Sequence, residues 1–171
     1  FTMSEKMNEH VVWITGGGSG IGRAVALEFA RLGASVAVSG RREDRLQDVC
    51  DEVCALGQRA LAVPCDVTVE DQIANAVEHV NDHFGQLDIA VANAGFSVAG
   101  PIRRLGAEDW RRQFDVNVVG AAVTAKHALP MLEQRRGRLA LVGSVAGMIA
   151  TPNVGAYTAS KYAVRAIGQT L

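Results

Sequence analysis

Short, almost uniformly apolar runs alternate with longer stretches of helical periodicity along nearly the whole chain, and this alternation limits the available folds more than any other feature. Val11-Val12-Trp13-Ile14, Ser35-Val36-Ala37-Val38-Ser39, Leu61-Ala62-Val63, Leu87 to Ala92 and Leu139 to Gly143 read as strands. Between them, Ile21 to Leu32, Glu43 to Leu56, Val69 to Phe84 and Ala107 to Gln134 carry apolar residues at helical spacing, and a last helical stretch starts at Val154. Gly57 and Gly85 stand where the second and third helices should stop. Strands joined through helices return to the sheet by right-handed crossovers and so run parallel. They are apolar throughout rather than alternating, as strands covered on both faces must be. The pattern predicts one α/β domain, doubly wound, with a parallel sheet and helices on both faces. Residues 1–9 are polar and are expected to form an N-terminal tail, with the domain occupying residues 10–171.

Composition excludes several classes of partner. The 171 residues suit one domain with a sizeable core. With 17 basic and 18 acidic residues the formal net charge is -1, and neither sign dominates a long stretch. No nucleic-acid or membrane-surface footprint is expected from that balance. The longest apolar stretch, Leu139 to Ala150, is too short to cross a bilayer and is broken by Gly143, Ser144 and Gly147. Cys50, Cys54 and Cys65 are odd in number and form no C-x-x-C pair, which points to a reduced, cytoplasmic protein. Cys50 and Cys54 are expected to pack on the second helix, as are Trp110 and His127 in their own helical region. His79 and His83 lack an H-E-x-x-H context and a third ligand, so no metal site is expected.

Two local patterns carry chemistry. Thr15-Gly16-Gly17-Gly18-Ser19-Gly20-Ile21-Gly22 lies directly between the first strand and the first helix. Glycines there allow a tight turn, a close approach of backbone N–H groups to a phosphate, and close packing of helix on sheet; the helix N-terminus then favours the anion. The second pattern is Tyr157 and Lys161, four residues apart near the start of the last helix and so on one face. A free phenol titrates near about pH 10, and a neighbouring ammonium favours the phenolate, which suits a tyrosine to acid–base work. Ser144 follows the fifth strand, at the sheet edge where open α/β sheets place their ligands.

The glycine spacing is T-G-x-x-x-G-x-G, and it is followed in order by Asp66, Asn93-Ala94-Gly95, Asn117, Ser144 and Tyr157-x-x-x-Lys161. In these motifs the sequence resembles the short-chain dehydrogenase/reductase family from about Val11 to Leu171. The resemblance implies a Rossmann-type domain that transfers a hydride between a nicotinamide cofactor and a small-molecule ketone or secondary alcohol. It implies that Gly16, Gly18, Ser19, Gly20, Ile21 and Gly22 bind the cofactor, that Asp66 with Val67 meets the adenine, and that Asn93, Ala94 and Gly95 shape the adenine–ribose side and support the sheet. Tyr157 would be the general acid in reduction and the base in oxidation, and Ser144 would hydrogen-bond the substrate oxygen. Lys161 would bind the nicotinamide ribose and tune Tyr157, and Asn117 would hold a water linking Lys161 to solvent. A catalytically silent dinucleotide-binding sensor or scaffold of the same fold is the alternative; such a protein should show a broken tetrad, whereas Asn117, Ser144, Tyr157 and Lys161 are all present.

The end of the second strand bears on cofactor choice. Enzymes preferring NAD(H) place an acid there, on the adenosine ribose. Here the chain reads Ser39-Gly40-Arg41-Arg42, with Gly40 in the acid's place. Arg41, with Arg42, can pair with a 2′-phosphate, so NADP(H) is favoured and NAD(H) is the alternative. Ser19 stands where many phosphate-preferring relatives carry a basic residue. Phe96, Ser97, Val98, Val145, Met148 and Asn153 are expected to line the pocket mouth. The family's habit of pairing two long helices implies a homodimer or homotetramer. Residues Tyr162 to Leu171 keep helical spacing with no glycine or proline stop, so the last helix is expected to continue and C-terminal elements to be missing.

Overall fold

Five parallel strands form a single sheet in the order β3-β2-β1-β4-β5 in the computed structural model, which describes residues 7–171. They are β1 (Val11–Thr15), β2 (Ser35–Gly40), β3 (Ala60–Pro64), β4 (Ile89–Ala92) and β5 (Arg138–Leu141). Helices α1 (Gly20–Arg31), α2 (Glu43–Ala55) and α3 (Glu70–Phe84) make the first crossovers. From β4 the chain passes through α4 (Ala107–Phe114), a π-turn (Asp115–Val119) and α5 (Gly120–Arg135) into β5, and α6 (Gly155–Thr170) follows. This is the doubly wound arrangement that the alternating pattern predicts. Six positions of the expected tail lie outside the described residues; Met7 donates its N–H to the Leu32 carbonyl at 2.7 Å and packs against the core.

Alternate residues of the central strands feed two cores. Trp13 faces one side, with Ile73, Val77, Val80 and Leu132 from α3 and α5. Val12 and Ile14 face the other, with Ala26, Ala30, Leu46 and Val49 from α1 and α2. The Trp13 indole fits because its register partners are Ala37 and Ala90 on the two neighbouring strands. Its N–H is satisfied by the Ser39 hydroxyl at 2.8 Å, as a buried indole requires.

The structure departs from the sequence expectations in five places, one of them β4, which begins at Ile89 rather than at the expected Leu87. The helical region from Ala107 is broken by the π-turn around Asn117. β5 ends at Leu141, two residues before the expected Gly143, and alternates between exposed and half-buried residues, because among the described residues it pairs only with β4. Cys54 is exposed, while Cys50 and Cys65 are buried. His127 is not simply a packing residue, since its Nε2 lies 3.0 Å from the Glu70 carboxylate.

β1, β2 and β3 wind outward in one direction; the chain then returns to add β4 on the other side of β1. At that reversal the loops after β1 and β4 diverge, and a crevice opens at the C-terminal ends of the strands.

Candidate active site

A cleft of about 490 Å³ occupies this crevice. Its floor is the turn between β1 and α1. Gly16 has φ 66°, in the left-handed region, and a Cβ there would lie 2.9 Å from Ala94 Cα. A Cβ on Gly22 would collide with the Gly16 carbonyl oxygen. These contacts explain why this turn needs glycine. Asn93 braces it, donating from Nδ2 to the carbonyls of Thr15 (2.9 Å) and Gly16 (3.2 Å). The Thr15 hydroxyl accepts in return from the N–H groups of Asn93 (3.1 Å) and Ala94 (3.2 Å). Gly16, Gly18, Ser19, Gly20, Ile21 and Gly22 all line the cleft, as do Asn93, Ala94 and Gly95. α1 begins there with no acid in its first turn, so the positive end of its dipole meets the cleft unopposed by its own side chains.

Cations gather where β2 ends. Gly40, Arg41, Arg42 and Arg45 line one wall, facing Asp66 and Val67. Arg42 Nη2 donates to the Ser19 hydroxyl at 3.2 Å, which brings a guanidinium against the glycine turn. Burial pushes the Asp66 carboxyl up, but bonds from the Thr68 N–H (2.9 Å) and hydroxyl (2.8 Å), with Arg41 nearby, outweigh it and hold the group below the usual carboxylate range. Cys65 also lines this wall, and burial pushes its thiol up to about 11, so it is an inert neutral surface near neutrality.

Tyr157 and Lys161 line the opposite end of the cleft from consecutive turns of α6. Lys161 is only 6% exposed, its Nζ donates to the Val142 carbonyl at 2.7 Å, and it lies 5.8 Å from the Tyr157 ring centroid. Among the described residues no carboxylate pairs with it, and burial pushes its ammonium below the ordinary lysine range. The short 3-10 turn Val145–Gly147 lies against this helix; a Cβ on Gly147 would be 2.8 Å from the Lys161 carbonyl oxygen. Ser144 caps that turn, its hydroxyl oxygen accepting from the Ala146 N–H at 3.1 Å while its own hydrogen stays free to donate.

Ser144 and Asn117 do not themselves line the cleft, which at these points is walled by Val142, Gly143 and Phe96. Asn117 is buried in the π-turn behind Phe96. Its Oδ1 accepts from the Phe96 N–H (3.1 Å), and its Nδ2 donates to the Phe96 carbonyl (3.0 Å) and the Ser160 hydroxyl (3.1 Å). The Ser160 hydroxyl in turn donates to the Tyr157 carbonyl at 2.7 Å. The carboxamide thus ties the cleft wall to the helix that carries Tyr157, with no N–H to spare.

Of the expected mouth residues, Phe96 and Ser97 line the cleft, whereas Val98, Val145, Met148 and Asn153 do not. Arg45 and Arg112 were not anticipated. Arg45 lies one turn beyond Arg41, a spacing that could have flagged it. Arg112 reads as an ordinary surface charge until the fold sets its guanidinium 4.8 Å from the centroid of the Phe96 ring.

Sheet order and crevice together place the chain in the doubly wound, Rossmann-type class of α/β proteins. It belongs to the short chain dehydrogenase family, whose model matches residues 10–171. Over 167 residues it is 37% identical to an uncharacterized oxidoreductase of Staphylococcus epidermidis, covering 97% of this chain and 71% of that protein. The crystal structure of NAD+-bound xylitol dehydrogenase superposes with a TM-score of 0.93 at 32% identity, covering 96% of this chain and 64% of the other. An alcohol dehydrogenase from the archaeon Thermococcus sibiricus, complexed with 5-hydroxy-NADP, superposes with a TM-score of 0.92 at 30% identity, covering 94% and 69%. The family is one of oxidoreductases.

Proposed function

We propose that the chain carries the cofactor site and acid–base machinery of an oxidoreductase that interconverts a carbonyl and a secondary alcohol with NADP(H), Tyr157 moving the proton. The observation that carries this reading is Lys161, a buried lysine without a carboxylate partner among the described residues, set beside Tyr157 in the cleft that the glycine turn floors. Such a cation is costly to bury unless it serves a ligand or a neighbouring proton donor.

The residues present suit a dinucleotide. The cradle that a Cβ at Gly16 or Gly22 would fill, with the N-terminus of α1 behind it, suits a pyrophosphate. Asp66 and Val67 suit an adenine. Arg41 and Arg42, with Gly40 in place of an acid, suit a 2′-phosphate better than a bare ribose hydroxyl. Solved relatives hold NAD+ in one case and 5-hydroxy-NADP in another; the arginines are what favours NADP(H) here, with NAD(H) the alternative. A bound nicotinamide would supply or take the hydride.

The chain's own residues then handle the oxygen. Tyr157 gives its hydroxyl proton to the carbonyl oxygen in reduction and takes it back in oxidation. Ser144 follows Gly143, which walls the cleft, and its hydroxyl hydrogen is uncommitted among the described residues; turned toward that oxygen it would donate to it and stabilise its developing charge. Lys161 holds positive charge beside the phenol and offers N–H groups to ribose hydroxyls. Asn117 keeps Phe96 and α6 in register.

Turnover of a ketone and alcohol panel with both cofactors, by the intact protein, tests the reading. Tyr157→Phe should lower turnover by at least about a hundredfold while leaving cofactor affinity, followed by fluorescence titration, nearly unchanged. A variant that kept close to normal turnover would exclude Tyr157 as the proton donor.

A further inference from the structure

Gln113 is fully buried, at 0% exposure, although its side chain is a polar amide. Both ends of that amide are used. Nε2 donates to the Phe96 carbonyl at 2.6 Å, and Oε1 accepts from the Val98 N–H at 2.7 Å. Asn117 grips the same Phe96 at its N–H and its carbonyl, so the Phe96 oxygen takes bonds from two carboxamides. Phe96 and Ser97 line the cleft with Tyr157, whereas Gln113 does not reach it. The strip after β4 has no ladder partner of its own. Two side chains four residues apart on the α4–π-turn unit therefore supply the bonds a neighbouring strand would otherwise give.

We propose that Gln113 is a positioning residue whose carboxamide, by holding Phe96 and Val98, sets Phe96 and Ser97 as the substrate-side wall of the cleft, so that carbonyl binding and turnover depend on it while cofactor binding does not. The kinetic part rests on the oxidoreductase reading above; the hydrogen-bond part does not.

Gln113→Glu separates this role from simple filling of space. A neutral glutamic acid reproduces the donor–acceptor pattern, its O–H donating to the Phe96 carbonyl and its C=O accepting from the Val98 N–H. An ionised one still accepts from the Val98 N–H but turns its second oxygen, now an acceptor, on the Phe96 carbonyl. Burial raises a carboxyl pKa, which brings this ionisation into the working range. The variant should therefore match the wild type at low pH and lose about tenfold or more in kcat/KM as the acid ionises, chiefly through a higher KM for the carbonyl. Cofactor affinity should stay level throughout. Gln113→Met, which fills the space without either bond, should show the loss at every pH. The Val98 amide proton resonance of Gln113→Glu should move with the same ionisation, a readout that needs no turnover. Wild-type-like kinetics for both variants across the pH range, or a Val98 amide that ignores the ionisation, would overturn the proposal. Absence of turnover in the wild type, with the Val98 resonance still titrating, would count against the oxidoreductase reading and leave the Gln113 anchor standing. A fall in cofactor affinity matching the fall in kcat/KM would show that the strip serves the cofactor and refute the assignment.

Discussion

Arg42 does two jobs at one spot: its backbone is the N-cap of α2, and its guanidinium reaches across to the Ser19 hydroxyl. The glycine turn lacks a basic residue of its own at Ser19, so the fold brings one there through space. Arg41, beside it, has no salt-bridge partner among the described residues but helps to hold the Asp66 carboxylate ionised. Cations without partners at a helix N-terminus oppose the helix dipole, and a bound phosphate would reverse that penalty. Arg41→Ala should accordingly weaken NADPH more than NADH. A charge-assisted pair at a partly exposed site is worth about 1–3 kcal/mol, so the ratio of the two dissociation constants should shift by roughly ten- to hundredfold. Fluorescence titration with each cofactor measures it, and equal weakening of both would remove Arg41 from the phosphate site.

Elements at the end of the sheet opposite the cleft are joined by one buried carboxylate, which a reading of motifs passes over. Asp88 Oδ2 accepts from the Val11 N–H at 2.8 Å and from Gln86 Nε2 at 2.9 Å, and Oδ1 accepts from Arg135 Nε at 3.1 Å. It thereby ties the start of β1, the approach to β4 and the end of α5. Asp88→Ala would strand a buried backbone N–H and should cost about 3 kcal/mol, lowering the thermal midpoint by roughly 6–12 °C. Cofactor affinity of the folded variant should persist, because the cleft lies at the other end of the strands. Calorimetry with a parallel cofactor titration checks both halves, and an unchanged midpoint would mean that water replaces the carboxylate without loss. The π-turn is the other feature at this scale that local pattern misses. Asp115-Val116-Asn117-Val118-Val119 contains neither glycine nor proline and has ordinary helical spacing. What favours the wider turn is tertiary, namely the four groups of Phe96, Ser160 and the Asn117 carboxamide that pair there.

At the scale of the whole molecule, α5 and α6 are the long helices on which relatives' habits predict pairing. Val119, beside the start of α5, is 50% exposed and Tyr162 on α6 is 42% exposed. We expect the intact protein to run as a dimer or tetramer in light scattering at micromolar concentration, and a monomer there would exclude pairing through these helices. Among the described residues no helix is long and apolar enough to cross a membrane. The sequence by itself determined the strand–helix alternation, and with it the parallel sheet. It also determined the glycine turn and the shared face of Tyr157 and Lys161. Each of these is a matter of spacing within a few residues, where backbone geometry alone decides which side chains come together. Tertiary structure alone decided that Asn117 and Gln113 brace Phe96, that Arg112 covers its ring, that Arg42 meets Ser19 and that Asp88 holds β1. Those partners lie from 16 residues apart, for Arg112 and Phe96, to 77, for Asp88 and Val11. Only the closing of the sheet and the packing of helices on its two faces bring such groups within hydrogen-bonding distance, and once they are buried there the cost of leaving them unpaired selects their partners.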